Sequence, residues 1–399
     1  MTSSTINVGI IGLGGAARQM LPSFLSHPNI RIRMAADPRK EARDAFELET
    51  KGIAVEDAAV LCASPLVDVV YVATPHQFHK EHTCLAARCG KHIIVEKPMA
   101  LKLTDCEEMI SVAEAEGVHL IVGHTHGFNA AIKKMRELIH NGAIGQVAMI
   151  NSFLYGNFLY RPRRPEELMT SLGGGIIYNQ APHQVDIVRL LGGGLVRSVR
   201  AQTFVLDEQR STEGAYTVFL SFEGGAAASL TYSGYDFFDS DEFHYWIGEL
   251  GEPKASDRHA FARASLRNLG GPDNEIAQKS QAGFGGRRSL APASGARWQQ
   301  PHFGVTIVTG SKGDLRQSER GVSLYSDQGL QEISVDEPRA YPDKCGVVDE
   351  MCAAIASGQT PLHSGRWALA TMEVCEAILT SAQLGREVYL EKQIAVLDA

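Results

Sequence analysis

Gly12, Gly14 and Ala17 stand at G-x-G-x-x-A spacing directly after the apolar run Ile6 to Ile11. Small residues in this order suit a turn that cradles a pyrophosphate. The first permits a tight turn, the second lets backbone approach the phosphates, and the third lets the next helix pack on the strand. A helix starting there adds free N–H groups and the positive end of its dipole. Gly15 and Ala16, inside the same turn, belong with the cofactor-binding residues. About twenty residues on, Asp37 closes a second apolar run, where a carboxylate accepts ribose hydroxyls and repels a 2′-phosphate. The pattern points to NAD. Arg39, two residues later, softens that repulsion and admits NADP as a second cofactor.

Other residues capable of chemistry follow apolar runs. They are Thr74, Pro75 and His79 after the run ending at Ala73, Glu96 and Lys97 after Val95, and His124 after Val122. In a doubly wound sheet the carboxyl ends of the strands face the ligand. Thr74, Pro75, His79, Glu96 and Lys97 are therefore expected at the cofactor, and His124 at the substrate. A lysine just past a buried strand can lose its proton more easily through desolvation and act as a catalytic proton acceptor. His76, His79 and His82 are three apart, but no carboxylate or cysteine completes a ligand set at motif spacing, so no metal is expected.

Further on, Gly173-Gly174-Gly175 leads to Asn179 and to His183, three residues before Asp186 on a helical pattern. His183 suits acid/base work near neutral pH; a purely structural His–Asp pair is the plainer alternative. Arg161, Arg163 and Arg164, stiffened by Pro162 and Pro165, form a local positive spot. Arginine forks bind carboxylates with two prongs, whereas a solvated turn would pair them with Glu166 or Glu167.

Two domains are expected to position these residues, as suits 399 residues. Over 1–126, short continuous apolar strands alternate with amphipathic helices, which means a parallel sheet covered on both faces, a doubly wound α/β fold. Over 127–399, strand-like runs such as Val147–Phe153, Val196–Val205 and Tyr216–Phe222 read as a mainly antiparallel sheet closed by C-terminal helices. A loop-rich insertion is expected near 236–300. The net charge of −8 argues against a nucleic-acid partner, and no apolar run reaches membrane-spanning length. Seven scattered cysteines without C-x-x-C spacing and a first stretch lacking signal-peptide character fit a reducing cytoplasm.

These motifs together resemble the glucose-fructose oxidoreductase / inositol dehydrogenase family (Gfo/Idh/MocA). They are Gly12 to Ala17, Ala73-Thr74-Pro75, Glu96-Lys97-Pro98, and the glycine run leading to His183. The resemblance implies a Rossmann domain, then an α/β domain whose large open sheet builds a homodimer or homotetramer. It also implies a cis Lys97–Pro98 bond and catalytic roles for Lys97 and His183. Many members carry aspartate where this chain has Asn179, which can bind a substrate hydroxyl but cannot take a proton. Met20 to Phe24, Tyr160 to Pro165, Asn179 to Asp186 and Gly313 to Arg316 are similar to the phthalate 4,5-cis-dihydrodiol dehydrogenases. That similarity implies a ring cis-diol with carboxylates as the small-molecule substrate, gripped by at least one of the three arginines. A sugar or polyol dehydrogenase, a hydrolase with permanently held cofactor, and a dinucleotide-binding sensor are the competing readings.

Overall fold

The computed structural model describes residues 5–123, 125–286, 299–336 and 342–397. These residues form two compact units, one of 5–123, 277–286 and 342–369, the other of 125–276, 299–336 and 370–397.

The first unit is built on six parallel strands: β1 (Ile6–Ile11), β2 (Ile30–Ala36), β3 (Ile53–Val55), β4 (Val69–Val72), β5 (His92–Val95) and β6 (Leu120–Val122). Their order is β3-β2-β1-β4-β5-β6. Every residue of β4 is buried, as a strand covered on both faces requires. The connecting helices are α1 (Gly15–Ser26), α2 (Lys40–Thr50), α3 (Ala58–Ala63), α4 (His79–Arg88) and α5 (Leu103–Ala115). Ala17, Met20, Leu21 and Phe24 line the buried face of α1, and Phe24 meets Tyr71 of β4 edge-on at 5.5 Å. The order reverses between β1 and β4, and a crevice opens at such a point beyond the carboxyl ends. β3 left no signal in the sequence because it is three residues long and not one of them is fully buried.

The second unit holds nine strands: β7 (Val147–Tyr155), β8 (Val196–Phe204), β9 (Ala215–Phe222), β10 (Ala227–Ser233), β11 (Val305–Gly310), β12 (Gly313–Gln317), β13 (Gly321–Ser326), β14 (Gly329–Ser334) and β15 (Val388–Tyr389). Their order is β14-β13-β12-β11-β7-β10-β9-β8-β15, and every neighbouring pair is antiparallel except β7 with β10. The same unit contains α6 (Ala130–His140), α7 (Gly175–Asn179) and α8 (Ala181–Gly192), and Ala181 to Leu191 of α8 are all buried. Polar bonds set the register of α8 on the sheet. Gln184 donates to Ser152 Oγ at 3.0 Å and accepts from Tyr216 OH at 2.7 Å, while Gln180 accepts from Tyr232 OH at 3.1 Å. Where a loop-rich insertion was expected, the chain forms α9 (Phe261–Leu269) and α10 (Pro272–Ser280). Neither has a buried residue, and residues 287–298 of that stretch lie outside the described ones. The helices α11 (Pro342–Ser357) and α12 (Gly365–Leu384) follow. Among the described residues no helix is long and apolar enough to cross a membrane.

Gly12 decides how closely the first turn approaches its neighbour. Its φ is +91°, and a Cβ there would lie 2.8 Å from Ala73 O and 2.9 Å from Thr74 N. Gly12→Ala should therefore destabilise the unliganded protein by about 1–3 kcal/mol from the backbone strain alone, with the steric overlap adding to that. Urea unfolding of wild type and variant checks this; an unmoved midpoint would mean that the turn relaxes freely.

Candidate active site

The sharp turn at Gly12 brings Leu13 against the end of β2. There Asp37, only 4% exposed, accepts the Leu13 N–H through Oδ2 at 2.8 Å. Arg39 folds back on the same carboxylate, with Nε to Oδ1 and Nη2 to Oδ2, each at 2.9 Å. Burial by itself would raise the Asp37 carboxyl, but the Arg39 side chain and the Leu13 and Arg39 N–H groups outweigh it and hold it below its usual value. Asp37 is thus anionic, buried and braced. Around Gly14 the space is open, with nothing within 4 Å of a built Cβ. An open approach over a helix start, beside an ionised carboxylate, fits a dinucleotide.

The loops after β4 and β5 are joined by His79. Its Nε2 faces Thr74 O and its Nδ1 faces Pro98 O, both at 2.9 Å. Full burial pushes its pKa down to about 4, against the opposing pull of these carbonyls, and a neutral ring donates to one of the two at a time while packing against the other. His79 therefore braces the segment containing Thr74 and Pro75 against the one containing Lys97. The Lys97–Pro98 bond is cis. Glu96 is held by the buried Tyr71, whose hydroxyl donates to Oε1 at 2.6 Å. His82 Nδ1 lies 3.2 Å from Thr74 Oγ1. Among the described residues no group of three or more His, Cys, Asp or Glu is placed to hold a metal ion.

In the second unit α8 carries His183, which is 5% exposed. Its ring meets that of His126 edge-to-face at 4.7 Å, and Phe303 lies 5.2 Å from it. His126 Nε2 is 3.2 Å from Glu249 Oε1, and Arg161 Nη2 donates to Glu249 Oε2 at 3.0 Å. Burial would raise the Glu249 carboxyl; Arg161 and His126 overcome it and hold it well below the usual range. Asn129 Nδ2 lies 3.4 Å from His126 Nδ1, so Nδ1 accepts and Nε2 is the nitrogen that donates to Glu249. Asp186 is fully buried and acts electrostatically on Arg189 of the same helix.

The three arginines have different surroundings. Arg161, its side chain 44% exposed, also donates Nε to Asn157 Oδ1 at 2.8 Å. Arg163 lies with its guanidinium 3.7 Å over the Phe158 ring and donates Nη2 to Phe158 O at 2.8 Å. Burial and the neighbouring Arg161 lower its pKa to about 10. Arg164 gives its backbone N–H to Glu167 Oε2 at 2.8 Å, starting a short helical turn. Asn179 donates Nδ2 to Gly173 O at 2.9 Å and Gly175 O at 2.8 Å, closing the glycine turn that precedes α8. His124 lies outside the described residues.

Sequence reasoning missed His126 and Glu249. His126 had one signal, its place just past a strand end. Glu249 had none, since it lies in the insertion, far along the chain from every partner it meets.

The model of the oxidoreductase family with an NAD-binding Rossmann fold matches residues 6–124, and the GFO/IDH/MocA C-terminal domain matches residues 132–251. A Comamonas testosteroni protein, 1-carboxy-3-chloro-3,4-dihydroxycyclohexa-1,5-diene dehydrogenase, is 38% identical over 94% of both chains. A crystal structure described as a dehydrogenase from Bordetella bronchiseptica RB50 is 42% identical, with a TM-score of 0.90 over 97% of this chain and 100% of that one. The Escherichia coli 2,7-anhydro-N-acetylneuraminate hydratase is 32% identical over 49% of this chain and 51% of its own.

Asparagine at position 179 answers to the two carbonyls it serves. Asn179→Asp would set a carboxylate against both, at a cost of about 1–3 kcal/mol. The carbonyls would raise the new carboxyl above its unfolded value of about 3.9. The deficit should therefore be smallest below that pH, grow as pH rises through the raised value, and be complete above it. Denaturant midpoints measured across pH 3.5–7 check the sign; a deficit independent of pH would contradict it.

Proposed function

The chain belongs to the Gfo/Idh/MocA family of oxidoreductases, and on that premise we propose that it oxidises a ring cis-diol bearing carboxylate, of the phthalate dihydrodiol type, to a catechol. That it is an NAD-dependent dehydrogenase follows from the family; the substrate class is the proposal. One observation carries it. Of the three arginines, Arg161 combines substantial exposure with an orientation fixed by Glu249 and Asn157. Two of its five N–H donors are engaged there, and the others suit a carboxylate. The Comamonas testosteroni relative is named for a carboxylated ring diol. Arg163 and Arg164 are assigned to shaping the loop.

Bound NAD supplies the hydride acceptor. Lys97 and His183 are the proposed proton acceptors: as the carbinol carbon gives up hydride, its hydroxyl gives its proton to one of them, leaving a ketone. The ketone tautomerises to the catechol, and the gain of aromaticity draws the reaction forward. His126, held by Glu249, packs edge-on against the His183 ring, whose helix is placed by Gln180 and Gln184. Asp37 receives the ribose hydroxyls, and Arg39 beside it softens the repulsion of a 2′-phosphate, which admits NADP as a weaker second cofactor. None of the seven cysteines is in a disulfide, as suits a cytoplasmic enzyme. Met149 and Phe219, exposed on the nine-stranded sheet, favour a homodimer or homotetramer formed through that face.

Lys97→Met and His183→Ala should each lower turnover by about 10² to 10⁴, while NADH binding, followed by fluorescence, stays nearly intact. Near-normal turnover in either variant removes that residue from the mechanism. For the substrate, NADH absorbance is followed with dihydrodiols, inositols and hexoses. Preference for a sugar replaces the diol reading, and tightly held cofactor without net NADH points to hydratase-type chemistry. Arg161→Met should lose roughly ten- to hundredfold in kcat/KM, as expected for a charge-assisted contact, on a dicarboxylate diol, and much less on its uncharged analogue. Equal losses on both would withdraw the carboxylate grip.

A further inference from the structure

Glycines recur at 283, 285 and 286, in the long insertion, and nothing in the dehydrogenase chemistry above uses them. The structure puts residues 277–286 in the same compact unit as the dinucleotide turn. Phe284 is 3% exposed. Its ring lies 5.9 Å from that of Phe46 on α2, and the Arg18 guanidinium of α1 stands 5.0 Å over its face. Its N–H donates to Leu13 O at 3.1 Å. The same carbonyl accepts Arg39 Nη2 at 3.2 Å. A Cβ built on Gly15 would stand 3.6 Å from the Ala282 Cβ, and one on Gly283 would stand 3.2 Å from Leu13 O. The strap is therefore laid on the turn at contact distance, anchored by one aromatic ring between two helices.

Leu13 is the centre of this arrangement. Its N–H is committed to Asp37, and its carbonyl is shared by Arg39 and Phe284. Whatever moves Phe284 moves the carbonyl that Arg39 also holds, and Arg39 holds Asp37. We propose that residues 281–286 are part of the NAD site and that Phe284 is a positioning residue within it. Through Leu13 it keeps the turn and the Asp37–Arg39 pair in the arrangement that receives the dinucleotide. Order in the strap and occupancy of the cofactor site are then coupled, and by reciprocity each strengthens the other.

Two measurements on the full-length protein test this. In NADH fluorescence titrations, below the unfolding temperature, Phe284→Ala should raise the Kd about tenfold and Phe284→Leu should restore most of it. Substrate KM at saturating NAD should stay unchanged. A Kd within twofold of wild type in a folded Phe284→Ala protein makes the residue a packing element only and overturns the proposal. A lower Kd would mean that the strap competes with the cofactor, which overturns it too. Should Phe284→Ala fail to fold, Gly283→Ala keeps the ring and presses a methyl group against Leu13 O. It should raise the Kd at least threefold, and an unchanged Kd is again a refutation. Independently, hydrogen exchange at the Phe284 amide should slow on adding NADH to wild-type protein. Equal exchange with and without NADH refutes the coupling.

Discussion

Backbone meets backbone where the turn after β1 passes the end of β4, and it can do so only because residue 12 has no side chain. A Cβ there would lie 2.8 Å from the Ala73 carbonyl oxygen, closer than van der Waals contact allows. The first unit's offering to a dinucleotide depends on this approach. It sets where α1 begins, and so where its unsatisfied N–H groups point. It also sets Leu13 against Asp37. A buried carboxylate is costly unless its lone pairs are occupied, and Asp37 has its own occupied by Leu13 and by Arg39. The carboxylate that would select the cofactor is therefore also the brace that holds the turn.

The second unit uses the same physical device on a larger scale. Glu249 is kept ionised by Arg161 on one oxygen and His126 on the other. Both Arg161 and Glu249 keep contact with solvent, so this pair orients side chains more than it stabilises the fold. The triad ties a loop, a short helical turn and the insertion together. His183 is registered separately, because α8 is fixed on its sheet by Gln180 and Gln184 through Tyr232, Tyr216 and Ser152. These bonds are satisfied and buried, so they specify one placement of the helix where apolar contacts alone would allow sliding.

Much of this was legible in the chain itself. Continuous apolar runs such as Val69–Val72, alternating with amphipathic helices, read as strands covered on both faces, and the glycine spacing before α1 has few other physical uses. The small edge strands were not legible: β14 is exposed along nearly its whole length, so no apolar alternation marks it. Nor was the use of Asn179. Its amide closes the glycine turn, a role that depends on where two carbonyls point and that residue type alone does not reveal.

The division has a physical basis. Local pattern determined the long elements, the parallel sheet and the dinucleotide turn, and it singled out the candidates for proton transfer, because each depends on neighbours within a few positions. Tertiary structure decided which arginine faces outward, which carboxylate His126 meets, and that Phe284 returns to the turn at Leu13. Those contacts join residues far apart in the chain, and no spacing encodes them. They are selected by burial, which makes every charge and every carbonyl find a partner wherever the fold can supply one.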